Sequence, residues 1–336
     1  NSFNVESERF DEIRILRYQV PDFETLPLNH KILIYYLSQA ALWGRDILWD
    51  QNYKHNLLIR KALETILLHF TGDRLSTDFN LFLVYAKKVF FANGIHHHYS
   101  MDKFYPECSR QYFEYLTRNL KSADNQTQFD LLDEKKWGEI IELIFSDDIA
   151  TKRVSLNPDG DLVKDSACNF YENVSQAEAE AFYSAKHLDD PKISHGLNST
   201  LIKKDGIVSE LVWKKGGKYS GYIEKMMYFL NKAIEFSDDH QQVLALKKLV
   251  EFYETGDLST FDDYSILWLN DTNSTIDIIH GFIEVYGDPL GKKATYESVI
   301  SIIDSEASER SKLISTNAQW FENHSTTDNK YKKDEI

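Results

Sequence analysis

Apolar residues recur at helical spacing over most of the chain. Between residues 28 and 49, Ile32, Leu33, Tyr36, Leu37, Ala40 and Trp43 fall three and four apart, which predicts an amphipathic helix. Residues 55–70 repeat the pattern through Leu57, Leu58, Leu63, Ile66 and Leu67, and Thr71-Gly72 supplies a stop. A third helix is expected over 78–92, ended by Asn93-Gly94. Others are expected at about 107–121, 134–145 and 175–187. The last opens with Ser175-x-x-Glu178, in which each side chain caps the other's backbone N–H. Beyond the middle, helical spacing returns over 220–236, 240–255 with Gly256 past its end, 259–269, 275–285 and about 295–321.

Alternation is rarer. Residues 12–20 (EIRILRYQV) alternate in part and run into Pro21, which suits a strand. Runs at 199–204 and 207–214 flank Asp205-Gly206, a dipeptide that favours the type I′ turn of a hairpin. The tail from Ser325 is polar and charged. The pattern predicts a mainly α (α+β) chain with a small β element assembled from distant segments. The 14 Gly and 6 Pro in 336 residues agree with it.

Composition narrows the function classes. The 42% hydrophobic content suffices for one large domain or two lobes. There are 38 basic and 53 acidic residues, a formal net charge of −15. That balance opposes nucleic-acid binding, which needs basic stripes, and binding to anionic membranes. It is compatible with a cationic ligand such as a free peptide N-terminus, and equally with acidity that serves only solubility. No apolar run reaches the roughly 18 residues of a membrane span. Cys108 and Cys168 form no CxxC and no disulfide framework, and read as buried thiols. With no basic and apolar leader at the start, the cytoplasm is favoured over export, which would need a signal removed before Asn1. Asn-x-Ser/Thr triplets, such as that at Asn125, carry no weight in an Asn-rich chain.

Candidate chemistry is sparse. His96-His97-His98 is a possible metal group, but neighbouring side chains on an extended segment alternate faces, and no HExxH or HxxEH occurs. A structural role is favoured. Neither GxSxG, GxGxxG nor a phosphate loop is present, and Lys215-Gly216-Gly217-Lys218 reads as a turn. The segment from Trp268 to Gly291 differs. In Gly281-Phe282-Ile283-Glu284-Val285-Tyr286-Gly287-Asp288-Pro289-Leu290-Gly291 a carboxylate and a phenol close an apolar helical pattern, and Asp288-Pro289 stops it. Such a pair can hold an amine and a carbonyl together. The plainer alternative pairs Glu284 with a neighbouring Lys and puts Tyr286 in the core.

These residues resemble the dipeptidyl peptidase III family, zinc exopeptidases that remove dipeptides from peptide N-termini. The resemblance rests on that run, on Trp268-Leu269-Asn270-Asp271, on Tyr296-Glu297 and on Tyr219-Ser220 with its following helix. Ile15-Leu16-Arg17-Tyr18-Gln19-Val20-Pro21, Gly44-Arg45-Asp46-Ile47-Leu48-Trp49-Asp50 and Asn93-Gly94-Ile95-His96-His97-His98-Tyr99-Ser100 look like the bacterial branch.

The resemblance implies a two-lobed enzyme with a wide cleft. One lobe carries zinc. The other holds a small β-barrel and much helix, and this chain would be most of it. Residues 1–304 are then the helical lobe with barrel segments, and 305–336 begin the crossing into the zinc lobe. The peptide is expected to bind as an added strand. By the resemblance Glu284 holds the substrate ammonium, and Tyr286 is catalytic, stabilising the tetrahedral intermediate. Trp268 lines the cleft, and Asp288 is expected as a further substrate contact. The zinc motif HExxGH, its downstream Glu ligand, its catalytic Glu and the substrate-binding edge strand are absent from this sequence and expected beyond Ile336. The expectation is therefore the N-terminal part of such an enzyme, inactive alone. Zinc belongs to the full-length enzyme, with none bound by this chain. The expected partners are an oligopeptide and the zinc lobe of the same polypeptide, with no nucleic acid and no membrane. Two alternatives stand beside it: a non-catalytic peptide-binding protein that keeps the Glu284/Tyr286 clamp, and a separate metalloenzyme built on the histidine run.

Overall fold

The computed structural model describes residues 3–120 and 133–336. The last residue of the helix expected at 107–121 and the Asn125 triplet lie outside them. The amphipathic pattern over 28–49 folds as two helices, α1 (Leu28–Trp43) and α2 (Arg45–Asn52). The break is at Gly44, where a Cβ would lie 1.9 Å from the Tyr296 ring, so the close approach requires glycine. Then come α3 (Asn56–His69), α4 (Thr77–Ala92), α5 (Arg110–Arg118), α6 (Glu134–Phe145) and α7 (Gln176–Asp189). Ser76, Ser109 and Asp133 cap α4, α5 and α6 by accepting a backbone N–H, and Ser175 with Glu178 forms the expected capping box of α7. After the middle lie α8 (Ser220–Ile234), α9 (His240–Thr255) and α10 (Leu258–Leu269). Gly256 stops α9 in the left-handed conformation, as glycine past a helix end does.

The strands are β1 (Glu6–Phe10), β2 (Ile13–Leu16), β3 (Tyr171–Glu172), β4 (Ser199–Lys204), β5 (Ile207–Val212), β6 (Ile276–Glu284) and β7 (Thr295–Ile302). They form three separate sheets, β1-β2, β3-β4-β5 and β6-β7, antiparallel except for the short β3/β4 pair. The β4–β5 turn has positive φ at both Asp205 and Gly206, as a type I′ turn demands. The expected barrel is corrected: among the described residues no sheet closes, because the three pairings share no strand and closure needs one continuous ladder. The architecture is mainly helical with small sheets.

Two helix expectations are also corrected. Residues 275–285 were expected as helix but form β6, and 295–321 form β7 followed by two short helices, α11 (Ser305–Ser315) and α12 (Ala318–His324). In Ile276-Asp277-Ile278-Ile279-His280-Gly281-Phe282 the apolar residues satisfy both a three-and-four spacing and an alternation. The structure buries the alternating set Ile276, Ile278, His280 and Phe282. Isoleucine is stiff and suits a pleated surface, and an interior glycine weakens a helix, so the strand wins.

Two cores result. One joins α1, α8, α9 and α10 to the β6–β7 hairpin through Leu37, Trp213, Leu230, Leu249 and Phe282. The other joins α2 to α6 through Trp49, Leu63, Phe82, Phe113 and Ile140. Gln51 ties them: its amide N–H donates to the Ala294 carbonyl at 3.2 Å and its oxygen accepts from the Tyr296 N–H at 2.9 Å.

Candidate functional site

The β6–β7 hairpin positions the residues singled out in the sequence. Phe282 is buried opposite Tyr296, and the register slips before Glu284 meets Thr295, a bulge at the end of the strand. Bulges re-aim side chains, and this one turns Glu284 to solvent where the chain leaves the sheet. Glu284 and Tyr286 thus stand at a strand end, not at the helix end expected.

Asp288 holds the loop that follows. It is 4% exposed. Its Oδ2 accepts from the Tyr171 hydroxyl at 2.9 Å, the Lys292 N–H at 2.7 Å and the Lys293 N–H at 2.8 Å. Burial pushes its carboxyl above the ordinary range, against the pull of these donors. Lys293 is fully buried, with its ammonium on the Tyr183 hydroxyl and on Ser199 Oγ at 2.9 Å, and Glu210 3.9 Å away. Burial lowers its pKa to about 7, with Glu210 and Asp288 opposing.

Two adjoining hollows, of about 670 and 690 Å³, meet at Tyr99, Met101 and Tyr286. One is lined by Glu284, Asp288 and Ser155, the other by Arg153, Glu297 and Phe91. Tyr286 is 63% exposed. Burial, then the carboxylates of Glu297 and Glu284, raise its pKa against Arg153, so at neutral pH the phenol keeps its proton and can donate. Among the described residues no Lys or Arg pairs with Glu284. Burial and Glu284 together push the Glu297 carboxyl up.

Trp268 is not brought to this groove. It ends α10 partly buried against the first core, and its indole N–H donates to Asp277 at 2.8 Å. The histidine run is occupied otherwise. His96 is buried with Nε2 donating to the Ala150 carbonyl at 2.7 Å, and His97 Nδ1 accepts from the N–H groups of Tyr99 and Ser100. His98 stacks on His97 and faces the Arg153 hollow. Among the described residues no group of three or more His, Cys, Asp or Glu is arranged to hold a metal ion, and no helix is long and apolar enough to cross a membrane. Sequence reading missed Arg153. In Thr151-Lys152-Arg153-Val154 it looks like solvated charge, and only its burial separates it from Lys152.

Comparison with known proteins finds relatives in sequence and in fold. Residues 194–336 match the sequence model of Peptidase family M49. The chain is 22% identical to dipeptidyl peptidase 3 of Dictyostelium discoideum over 97% of its own length and 49% of that protein. It is 22% identical to human dipeptidyl peptidase 3, over 88% and 45%. The fold matches DPP III from Caldithrix abyssi with a TM-score of 0.62 at 19% identity, covering 93% of this chain and 47% of that one. For dipeptidyl-peptidase III from Corallococcus sp. strain EGB the TM-score is 0.59 at 16% identity, covering 94% and 47%. The C-terminal part of the chain thus resembles peptidase family M49, the whole chain is similar to dipeptidyl peptidase III proteins in sequence and fold, and it spans about half the length of these four relatives.

Proposed function

We propose that this chain supplies the amine-binding face of a dipeptidyl peptidase active site. Glu284 takes the N-terminal ammonium of an oligopeptide by a charge-assisted hydrogen bond. Tyr286 donates to the scissile carbonyl as its oxygen becomes negative. The observation that carries the reading is the freedom of both groups. Glu284 is exposed and unpaired among the described residues, and Tyr286 is 63% exposed on the same hollow. A structural ion pair and a core phenol, the plainer uses of these residues, are both unmet. Two residues of extended chain span about 7 Å, so an amine held at Glu284 would put the peptide's second carbonyl about that far along. Asp288 acts by holding the loop, and Trp268 by bracing β6 through Asp277.

The family is zinc-dependent, and the described residues do not fit a metal site. Residues other than these would hold the zinc. The same reading makes 305–336 the crossing to a second lobe. α11 and α12 bury no residue and expose Leu313, Ile314, Trp320 and Phe321, surface that another lobe would cover. A second reading is a peptide-binding protein that keeps the Glu284/Tyr286 clamp without catalysis.

Calorimetry with an amidated tetrapeptide tests the amine site. Acetylating its N-terminus, or Glu284→Gln, should weaken binding about 10- to 100-fold. Equal binding by free and acetylated peptide would remove the assignment. Assay of the chain and of a longer polypeptide on a dipeptidyl-arylamide separates the readings: turnover by the longer protein alone supports a half-site. Turnover by the 336-residue chain alone would sink it.

A further inference from the structure

Arg153 is 7% exposed, yet among the described residues no carboxylate pairs with it. Its Nε donates to Met101 Sδ at 3.2 Å and its Nη1 to Asn52 Oδ1 at 3.0 Å. Nη2 takes no hydrogen bond among the described residues, and the side chain lines the hollow beside Tyr286. A buried guanidinium without a counterion is costly, and a fold ordinarily supplies one. Two further features show a built site. Met101 holds a left-handed φ of 64° while its carbonyl accepts the Arg153 N–H at 2.8 Å, which brings its sulfur to the guanidinium. Asn52, itself buried, also donates its amide N–H to the Asn93 carbonyl at 3.0 Å, which turns its oxygen to Arg153.

We infer that Arg153 is the floor of a side-chain subsite that takes a carboxylate, the acidic side chain of a peptide's second residue. This rests on the amine-binding reading of Glu284. Glu284 lines one hollow, Arg153 the other, and Tyr286 both. A peptide anchored by its amine at Glu284 and laid past the phenol puts its next side chain over Arg153. Phe91, Tyr99 and Tyr296 give the walls apolar rings that suit methylene groups. The planar guanidinium fork suits a carboxylate. Glu297 lines the same hollow, so a doubly charged phosphate is opposed more strongly than a single carboxylate.

The test compares Ala-Asp-Ala-Ala and Ala-Asn-Ala-Ala, both amidated at the C-terminus, by calorimetry on the wild-type protein. The aspartyl peptide should bind about 10-fold tighter or better. Arg153→Gln should erase the difference and Arg153→Lys should keep part of it, with circular dichroism reporting the fold of each. Equal binding of the two peptides by wild type, which needs no variant, overturns the inference. So does a preference that survives Arg153→Gln. If the peptides bind equally but only with a free amine, the Glu284 reading stands and the Arg153 subsite falls. If neither peptide binds, the peptide assignment falls, and titration with 4-hydroxyphenylacetate decides the rest. Binding lost in Arg153→Gln supports a carboxylate site there, and no binding removes it.

Discussion

Asp288 shows how an acidic side chain can serve a site without facing solvent. Three donors converge on one oxygen, and a fourth, the Leu290 N–H, reaches the other at 3.3 Å. The loop that presents Tyr286 is therefore held from within. Asp288→Ala leaves the Tyr171 hydroxyl and three backbone N–H groups without their acceptor. Each unsatisfied buried group costs roughly 1–3 kcal/mol, partly recovered by water, so a loss of about 3 kcal/mol in urea unfolding is expected. Peptide affinity should fall with it as the Tyr286 loop loosens. A variant as stable as wild type would show that Tyr171 and the loop find other partners. The side chains of Glu284 and Tyr286, by contrast, make no structural hydrogen bond among the described residues, and on the proposed reading their replacement should affect peptide binding and turnover rather than stability.

At the scale of elements, the β6–β7 hairpin decides where the site stands. Its underside is fastened by a buried chain in which Tyr296 Oη donates to the Ala41 carbonyl at 3.1 Å. That bond uses the only phenol proton, so His280 Nε2 must donate to Tyr296 Oη, 3.1 Å away. Nδ1 then accepts from the Tyr253 hydroxyl at 2.8 Å. Helix α1, strands β6 and β7 and helix α9 thus share one hydrogen-bonded line. Gly44, between α1 and α2, lies against the same Tyr296 ring. Gly44→Ala would push a methyl into that ring and strain the whole line, so an overpacking cost of about 2–3 kcal/mol is expected in thermal unfolding. Weaker peptide binding should accompany it, because Thr295 and Tyr296 line the groove. An unchanged melting temperature would mean that the junction has more room than the packing shows.

For the whole molecule, two buried imidazoles tie stability to pH. Burial lowers the pKa of His280 to about 4, and burial also takes His96 to about 4, against its bond to the Ala150 carbonyl. Both ordinarily titrate at 6.5. Between these values the unfolded chain binds protons that the folded chain refuses. Stability is therefore undiminished by these groups above about pH 6.5 and falls as pH drops toward 4, by at most about 1.4 kcal/mol per unit for each histidine. Urea midpoints at pH 7.5, 6 and 5 measure the slope. His280→Gln should flatten it, and a slope unchanged in that variant would assign the acid sensitivity elsewhere.

Most helices were legible because their signal is local. Ser175-x-x-Glu178, Asp205-Gly206 and Gly256 each act within a few residues of themselves, and the structure places the cap, the turn and the stop there. The run around Glu284 was legible as a family pattern for the same reason, being contiguous. What needed the third dimension was every choice between two local patterns of equal merit, and every property set by distant neighbours. Residues 276–284 carry both a helical and an alternating spacing, and pairing with 295–302 decides for the strand. The barrel failed because strand partnership is a long-range fact. Asp288 was expected as a helix stop and a substrate contact, and Arg153, in a basic stretch, was not singled out at all. Burial alone, contributed by Tyr171 and Lys293 in one case and by Asn52 and Met101 in the other, makes the first a fastening and the second a cation without a partner. Chain-local chemistry sets which elements can form. The free energy of desolvating a charge depends on what surrounds it, and that is a property of the folded molecule.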